Sequence, residues 1–221
     1  MTDKNTQRGL FISFEGGDGC GKSTQIAMLA DALPRLTRQE IVVTRSPGGT
    51  PVAERIRTIL KTHDDSDQIV PETELLLFGA CHVQMTRNLI LPALERNAII
   101  ITDRFYDSTT VYQGYARGIE LDFVQKINTF ACGGFKPDLT ILLDAAVEHT
   151  MGRAANRNGN EEEVRDRFDS EGLAFHDAIR QGFLCLAKQE PERFRVINAE
   201  LSIEEIHLKI MEAVCEKLAL S

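Results

Sequence analysis

The sequence has no long apolar run and no excess of positive charge. None of its apolar stretches approaches the ~20 residues that a membrane-spanning helix needs. The polar segment 1–8 is not followed by the apolar core of a signal peptide. The formal net charge is −8, whereas a duplex nucleic acid is bound through a basic face. We therefore expect a cytoplasmic protein whose partners include neither a membrane nor a nucleic acid.

Disulfide and zinc patterns are also lacking. The five cysteines are odd in number, widely scattered and form no Cys-x-x-Cys pair, which is typical of reduced thiols. Internal repeats, low-complexity blocks and linkers rich in Pro, Gly or Ser are missing as well. A chain of 221 residues suits one α/β domain with a sizeable core. We expect residues 1–221 to form a single domain.

Short apolar runs alternate with amphipathic stretches along the chain. The apolar runs predict buried strands at Leu10–Glu15, Ile41–Arg45, Ala98–Thr102, Leu139–Asp144 and Phe194–Asn198. The amphipathic stretches predict helices at Ser23–Leu33, Val52–Lys61, Glu72–Arg96, Leu121–Cys132, Val147–Asn156, Ser170–Lys188 and Ile203–Leu218, the last with Ser202 as its N-cap. This alternation predicts an α/β fold, with a five-stranded parallel sheet covered by helices on both faces. Ligands of such sheets bind at the carboxyl ends of the strands.

The segment after the first strand carries the most specific motif. Residues 16–23 read Gly-Gly-Asp-Gly-Cys-Gly-Lys-Ser and match G-x-x-x-x-G-K-[ST] between a strand and a helix. Glycines let backbone N–H groups face phosphate oxygens, and the helix N-terminus adds the positive end of its dipole. Lys22 is predicted to reach the β- and γ-phosphates of ATP, and Ser23 to bind Mg²⁺. The residues predicted to hold the ATP phosphates are Gly16, Gly17, Asp18, Gly19, Cys20, Gly21, Lys22, Ser23 and Thr24.

A P-loop occurs in several protein classes, and two further features favour a kinase. The sequence has no Asn-Lys-x-Asp motif of the kind that reads guanine in GTPases. Asp103 and Arg104 directly follow the third predicted strand. A carboxylate there can hold a water on Mg²⁺, and the neighbouring arginine can clamp an acceptor phosphate. We therefore predict phosphoryl transfer from ATP to a small nucleotide, with Mg²⁺ held by Ser23 and, through water, by Asp103.

Residues 156–169 break the alternation of strands and helices. The segment is highly charged and carries arginines without an apolar face. Its composition fits a solvated surface loop, and it also fits a mobile lid that brings arginines onto phosphates. Both interpretations stay open on composition alone.

Several segments taken together resemble thymidylate kinase of the bacterial type. They are the P-loop, residues 44–50, Phe78, residues 103–105, residues 108–118, residues 136–140 and residues 166–169. The resemblance covers the chain from about Leu10 to Asn198. It implies a P-loop NTPase fold with a mobile lid at about 156–169, ATP and Mg²⁺ as cofactors, and dTMP as the acceptor that becomes dTDP. It also implies a homodimer formed through helices at Glu72–Arg96 or Leu121–Cys132.

The resemblance implies roles for individual side chains. On periodicity alone Phe78 is typical of a helix core and Arg57 of a helix surface, but both match dTMP-binding positions of the family. The P-loop has no arginine, and the family then takes one from the lid, where Arg153, Arg157 and Arg167 are available. The implied catalytic residues are Lys22, Asp103, Arg104, Arg157 and Arg167. The implied dTMP residues are Asp18 at the 3′-hydroxyl, Phe78 stacking on thymine, Arg57 and Arg104 near the monophosphate, His82, and Thr109, Tyr112 and Gln113 on the base and sugar wall.

Two positions depart from the family pattern. His82 stands four residues after Phe78, where the family usually has an arginine that donates to thymine O4. A histidine N–H can still donate one hydrogen bond, although the side chain is shorter. Ser46 stands where the family usually has a glutamate before Pro47. These departures leave open a related monophosphate kinase with another base preference. A non-catalytic P-loop regulator and a nucleoside kinase also stay open, and a nucleoside kinase would leave Arg104 without a phosphate partner.

Overall fold

A five-stranded parallel sheet forms the centre of the fold, with the strand order β2-β3-β1-β4-β5. The structure is a computed structural model that describes residues 8–62, 66–150, 168 and 171–220. The strands are β1 (Phe11–Glu15), β2 (Ile41–Arg45), β3 (Ile99–Asp103), β4 (Leu139–Asp144) and β5 (Phe194–Asn198). The predicted five-stranded parallel sheet is confirmed. Only β1 and β3 differ at their ends, because both start one residue later than predicted and β3 ends at Asp103.

The burial of each strand follows its place in the sheet. The three inner strands β1, β3 and β4 are buried along nearly their whole length. The edge strands β2 and β5 are only partly buried, and Val43 and Val196 are about half exposed on them. Helices cover both faces of the inner strands, so their side chains are apolar at consecutive positions and not only at alternate ones.

The helices are numbered in chain order. They are α1 (Lys22–Ala32), α2 (Pro51–Lys61), α3 (Pro71–Met85), α4 (Leu91–Glu95), α5 (Tyr106–Thr109), α6 (Leu121–Cys132), α7 (Leu173–Gln189) and α8 (Ile203–Leu220). A π-helical segment, Thr86–Ile90, joins α3 to α4, so the helix predicted at Glu72–Arg96 is continuous but changes its hydrogen-bonding pattern. A second π-helical segment, Thr110–Ala116, extends α5, and the sequence pattern did not predict this helix.

The ends of the later helices are set by local hydrogen bonds. Ser202 caps α8 as predicted, because its Oγ accepts from the backbone N–H of Glu205 at 3.3 Å and the Glu205 carboxylate accepts from the Ser202 N–H at 3.0 Å. Helix α7 starts at Leu173, after Gly172 at its N-cap, and not at the predicted Ser170. The predicted helix Val147–Asn156 is helical at residues 147–150, and its remainder lies outside the described residues.

Alternate residues of the strands contribute to three apolar clusters of the described residues, which lie on opposite faces of the sheet. Ile12 and Phe14 of β1 belong to a cluster with Leu29 of α1 and Ile210 of α8. Phe11, beside Ile12 in sequence, belongs to a second cluster with residues of α3, α4 and α6. This division follows from the alternation of side chains along a strand. The sheet is therefore a layer between two sets of helices, as predicted.

A buried ion pair connects α5 to the start of β5. The Arg193 guanidinium donates to both oxygens of Asp107, at 2.7 and 2.8 Å. It also donates to Glu190 at 2.9 Å and to the Thr140 hydroxyl at 2.8 Å. The side chains of Arg193 and Asp107 are 7% and 1% exposed. This pair therefore connects α5, which follows the Asp103-Arg104 turn, to the residue that precedes β5.

The five cysteines all lie in the described part of the chain and are free thiols. Within the described ranges, no helix combines the length and the apolar character that crossing a bilayer requires.

Candidate active site

A cavity opens at the carboxyl edge of the sheet, where ligands of parallel α/β folds bind. Its wall is built from the P-loop, the loop after β2, helix α2, Phe78 of α3, the turn after β3, and the α5 segment with its π-helical extension. The predicted site residues that line it are Asp18, Gly19, Gly21, Lys22, Ser23, Arg57, Phe78, Asp103, Arg104, Thr109, Tyr112 and Gln113. The fold thus brings most of the predicted site together from separate parts of the chain.

The P-loop turns sharply between β1 and α1. Gly16 and Gly19 have φ angles of 130° and 85°, which side chains with a Cβ atom rarely adopt. Lys22, the first residue of α1, folds back across the loop, and its Nζ donates to the carbonyls of Gly16 at 3.1 Å and Gly17 at 2.8 Å. Burial, followed by the charge of Arg104, lowers the pKa of Lys22. The lysine is therefore held at the floor of the cavity by neutral acceptors.

Two predicted phosphate-binding residues do not contribute side chains to the described cavity wall. The Cys20 side chain is turned into the apolar core and is 3% exposed. Burial raises the pKa of its thiol, so it stays uncharged. Thr24 is exposed on the first turn of α1. Only the backbone of Cys20 is available to a phosphate, as the P-loop pattern requires.

Arg104 lies where the P-loop meets the turn after β3. Its φ angle is 66°, a left-handed conformation that is unusual for a residue with a side chain and is found often at functional sites. One guanidinium nitrogen donates to Asp18 Oδ1 at 2.8 Å and another to Ser108 Oγ at 3.1 Å. Its Cζ lies 5.2 Å from the centre of the Tyr112 ring. Burial alone would raise the pKa of Asp18, but Arg104 and Lys22 hold it well below its usual range.

Asp103 and Ser23 are two cavity residues whose oxygen atoms could hold a cation. Both line the cavity, and Oδ1 of Asp103 is buried without a hydrogen-bond partner among the described residues. The described residues contain no cluster of three or more His, Cys, Asp and Glu side chains that would form a complete metal site. One hydroxyl and one carboxylate beside a phosphate site fit Mg²⁺, which keeps several waters and takes the rest of its ligands from substrate phosphates.

The other end of the cavity is aromatic and partly apolar. Phe78, Tyr112 and Phe168 surround it, with ring centres 6.4 Å apart between Phe78 and Phe168 and 5.6 Å apart between Tyr112 and Phe168. Arg57 donates to the Pro47 carbonyl at 2.8 Å. Phe78 is therefore part of a ligand-sized aromatic wall, and not a buried core residue as its helical spacing alone suggests.

Gln113 is fixed by a buried carboxylate. Its Nε2 donates to Glu74 Oε1 at 2.7 Å, and both side chains are fully buried. Arg117 also donates to Glu74, at 3.3 Å, so the carboxylate acts as the acceptor for both neighbours. The amide orientation of Gln113 follows from this contact, because only its nitrogen can donate. Its Oε1 has no hydrogen-bond partner among the described residues.

Glu15 supports the Arg104 turn, and the sequence pattern did not identify it. As the last residue of β1 it accepts hydrogen bonds from the Phe105 N–H at 2.8 Å and from the Ser108 hydroxyl at 2.6 Å. Burial, followed by the charge of Asp107, raises the pKa of its carboxyl well above the usual range. The sequence signal that could have identified Glu15 is a carboxylate at the end of a mainly apolar strand, directly before the P-loop.

His82 lies behind Ser46 and Phe105. It is 0% exposed and is not among the described residues that line the cavity. Its Nε2 lies 2.9 Å from Ser46 Oγ, and its ring centre lies 5.2 Å from that of Phe105. Ser46 and Phe105 themselves line the cavity. The predicted contact between His82 and dTMP stays a prediction. Histidine is shorter than the arginine of the family pattern, and its ring ends one layer behind the wall.

Arg157 and Arg167, which were predicted to be lid arginines, lie outside the described residues, as does Arg153. Phe168 is described, and it packs against both Phe78 and Tyr112 at the acceptor end of the cavity. The predicted lid segment thus reaches the cavity at this residue.

Comparisons with known proteins agree on one family. The family model described as thymidylate kinase matches residues 14–210. A thymidylate kinase of Geobacter sulfurreducens is 44% identical over 211 residues, which cover 95% of this chain and 98% of that protein. One of Desulfosudis oleivorans is 47% identical over 192 residues, 86% of this chain and 89% of the relative. The solved structure of thymidylate kinase from Ehrlichia chaffeensis superposes with a TM-score of 0.74 at 30% identity, covering 94% of this chain and 99% of that one.

Proposed function

Because this chain belongs to the thymidylate kinase family, we propose that the cavity at the carboxyl edge of its sheet is where it transfers the γ-phosphoryl group of ATP to dTMP, giving ADP and dTDP. One observation carries this assignment. The P-loop lysine Lys22 and the acceptor-side residues Arg104 and Phe78 line a single cavity. A donor phosphate at Lys22 and an acceptor nucleotide at Phe78 are thereby brought to the same place.

The reaction needs alignment and charge neutralisation more than covalent chemistry. The acceptor phosphate oxygen of dTMP is already anionic, so it attacks the γ-phosphorus without a general base or a covalent intermediate. Lys22 is expected to exchange its two carbonyl acceptors for β- and γ-phosphate oxygens when ATP binds. Each cationic contact that strengthens in the transition state contributes roughly 3 kcal/mol, judged from single-donor deletions at other sites.

Arg104 and Asp18 are proposed to hold the acceptor. Arg104 donates to Asp18 at 2.8 Å and to Ser108 at 3.1 Å, and these contacts aim its guanidinium across the cavity. A planar guanidinium matches the geometry of a phosphate. Asp18 is ionised beside Arg104 and Lys22 and can accept from the deoxyribose 3′-hydroxyl. Arg57, Thr109, Tyr112 and Gln113 complete the proposed dTMP contacts.

Ser23 and Asp103 are proposed to hold Mg²⁺, Ser23 directly and Asp103 through water. The unpartnered Oδ1 of Asp103 supports this role. Bound Mg²⁺ neutralises charge on the β- and γ-phosphates. Arg157 and Arg167 are proposed as the lid arginines that approach the transferring group, with a lid at about 156–169 in a single kinase domain spanning 1–221.

A homodimer is proposed from the exposed apolar face of α3 and α6. These helices pack against each other, with Gly79 beside Ile127, and they expose Leu76, Phe123 and Phe130 at 57%, 47% and 78%. A two-fold axis through this face would bury all of them in one isologous interface. Sedimentation velocity at micromolar concentration would detect the dimer, and a monomer at that concentration would contradict it.

We also propose a cytoplasmic location, as suits a kinase that consumes ATP and dTMP.

A kinase for another base, a nucleoside kinase and a non-catalytic regulator receive no support from the comparisons, which name thymidylate kinase throughout. A direct test is ADP release from ATP and Mg²⁺ with dTMP, dUMP, dCMP, dGMP, UMP and thymidine as separate acceptors. The proposal expects strong preference for dTMP and no turnover of thymidine, since an uncharged acceptor leaves Arg104 without a phosphate. Preference for another monophosphate would contradict the substrate assignment, and ATP binding without turnover would contradict catalysis.

A further inference from the structure

Arg117 lies directly after the π-helical extension of α5, at a point where three parts of the chain meet. Its Nε and Nη2 donate to the two carboxylate oxygens of Glu74 on α3, at 3.3 and 3.4 Å. Its Nη1 donates to Glu171, which lies shortly before α7, at 2.5 Å. The side chain of Arg117 is 18% exposed, and that of Glu74 is 1% exposed. One guanidinium thus pairs with carboxylates from two distant parts of the chain.

The contact with Glu74 connects Arg117 to Gln113. Glu74 Oε1 accepts from Gln113 Nε2 at 2.7 Å, and Gln113 lines the cavity. A carboxylate that is removed from water needs hydrogen-bond donors and positive charge in its place, and Arg117 supplies both. If Arg117 is lost, Glu74 becomes costly to keep ionised in its buried position. Gln113 then loses the fixed acceptor that sets the orientation of its amide.

The other side of Arg117 connects it to Phe168. The Phe168 ring lines the cavity, and its centre lies 6.4 Å from that of Phe78. Arg117 Cζ lies 5.8 Å from the centre of the Phe168 ring and 4.6 Å from that of Phe175 on α7. A guanidinium at these distances is attracted to the aromatic faces. The ion pair with Glu171 holds the guanidinium between the rings, so Arg117 also fixes the position of Phe168.

Both cavity residues that Arg117 holds belong to the aromatic end of the cavity, whereas the donor phosphates are assigned to Lys22 at the P-loop. Arg117 itself is not among the described residues that line the cavity. We propose that Arg117 is a positioning residue for dTMP, which acts through Gln113 and Phe168. This inference rests on the proposed function, since it assigns the effect of Arg117 to the dTMP acceptor. ATP binding at Lys22 does not depend on Arg117.

The test compares dTMP with ATP in variants of Arg117. It measures kcat, the KM of each substrate, and the Kd of dTMP without ATP by isothermal titration calorimetry. Arg117→Met keeps the length of the side-chain stem but removes the charge, so it should raise the KM and the Kd of dTMP about tenfold. The KM of ATP should change less than about twofold. Arg117→Lys keeps the charge but lacks the planar fork, so it should lie between the wild type and Arg117→Met.

Arg96→Met is the matched control. Arg96 also pairs with a carboxylate, that of Glu40, at 3.2 Å. It lies before β3, at the edge of the sheet opposite to the cavity. Arg96→Met should therefore leave the constants of both substrates unchanged.

A double-mutant cycle tests the connection through Glu171. Glu171→Gln weakens the ion pair with Arg117 without changing a cavity residue, and it should raise the Kd of dTMP about threefold. In the Arg117→Met background the same change should leave the Kd as it is, because the partner of Glu171 is already lost. An equal effect in both backgrounds would overturn the connection between Arg117 and Glu171.

The outcomes separate this inference from the proposed function. A wild type that does not phosphorylate dTMP overturns the proposed function itself. A wild type that does so, with an Arg117→Met variant that keeps the wild-type Kd for dTMP, overturns only the role of Arg117. Equal rises in the KM of ATP and of dTMP also overturn it, because they indicate a general structural effect. Thermal melting by circular dichroism checks folding. If Arg117→Met does not fold, Arg117→Lys and Glu171→Gln still decide the proposal.

Discussion

Removal of one charge from the buried Asp107–Arg193 pair should destabilise the protein far more than removal of a charge at its surface. In Asp107→Asn the amide nitrogen faces an Arg193 N–H, so one of the two hydrogen bonds at 2.7 and 2.8 Å is replaced by a contact between two donors. Breaking a buried pair by removing one partner costs about 3–5 kcal/mol. Glu190 still accepts from Arg193 at 2.9 Å, so we expect about 3 kcal/mol, near the lower end of that range.

The matched control is an exposed pair of the same chemistry. Asp31 and Arg35 lie 3.4 Å apart with side chains 81% and 79% exposed. Asp31→Asn should therefore cost less than about 1 kcal/mol. Both variants change one aspartate to asparagine, so they differ in burial and not in the chemical change.

The assay is equilibrium urea unfolding followed by far-UV circular dichroism, because the chain has no tryptophan to report by fluorescence. All samples need one protein concentration, since the proposed dimer makes stability depend on concentration. A loss of about 3 kcal/mol corresponds to a fall in Tm of roughly 6–12 °C for a chain of this size. A cost for Asp107→Asn within error of that for Asp31→Asn would refute the argument that burial makes this pair essential.

Three further predictions concern the P-loop, His82 and one helix contact. Lys22→Met should lower kcat at least about 10²-fold by removing a phosphate contact, with an unchanged circular dichroism spectrum; near-normal turnover would contradict its role. Burial lowers the pKa of His82 from 6.5 to about 4 in the folded protein. Between these two pH values the unfolded chain therefore binds more protons at His82 than the folded protein does. The free energy of unfolding should fall by up to about 3 kcal/mol as the pH drops from 6.5 to 4. Urea unfolding across that range should show a flatter pH dependence in His82→Phe; identical curves would contradict the shift. In Gly182→Ala the new Cβ would lie 3.0 Å from the Tyr115 ring and should cost about 1–3 kcal/mol in urea unfolding. Gly172→Ala meets no atom within 4 Å and should cost less than about 1 kcal/mol, through the weaker N-cap of α7 alone.

The sheet could be predicted from the sequence because each strand is marked by its own run of apolar residues. Continuous apolar runs such as Leu139–Asp144 identify strands covered on both faces, and the structure confirms all five. The helix at 106–116 was not predicted, because β-branched and aromatic residues such as Thr110 and Tyr112 have low helix propensity. Its conformation is supported by tertiary contacts, including hydrogen bonds from Asn128 to the Tyr106 carbonyl and to the Thr110 hydroxyl.

Site residues could be predicted where they belong to a contiguous sequence motif. They could not be predicted where their role depends on a contact between residues far apart in the sequence. The spacing of the P-loop and of Asp103-Arg104 predicted where these residues lie in the cavity. The bond between Ser46 and His82 spans 36 positions, and no local pattern reports it. The same holds for Glu15, whose partners lie 90 and 93 positions away. The roles of Arg157 and Arg167 stay predictions.

The most direct test of phosphoryl transfer at this cavity is to identify the product formed from dTMP. Purified protein, ATP, Mg²⁺ and dTMP are incubated, and the nucleotides are separated by anion-exchange chromatography, with Lys22→Met as the background control. We expect dTDP and ADP in equal amounts from the wild type and almost none from the variant. ADP without dTDP, or equal dTDP from both proteins, would contradict phosphoryl transfer at this cavity.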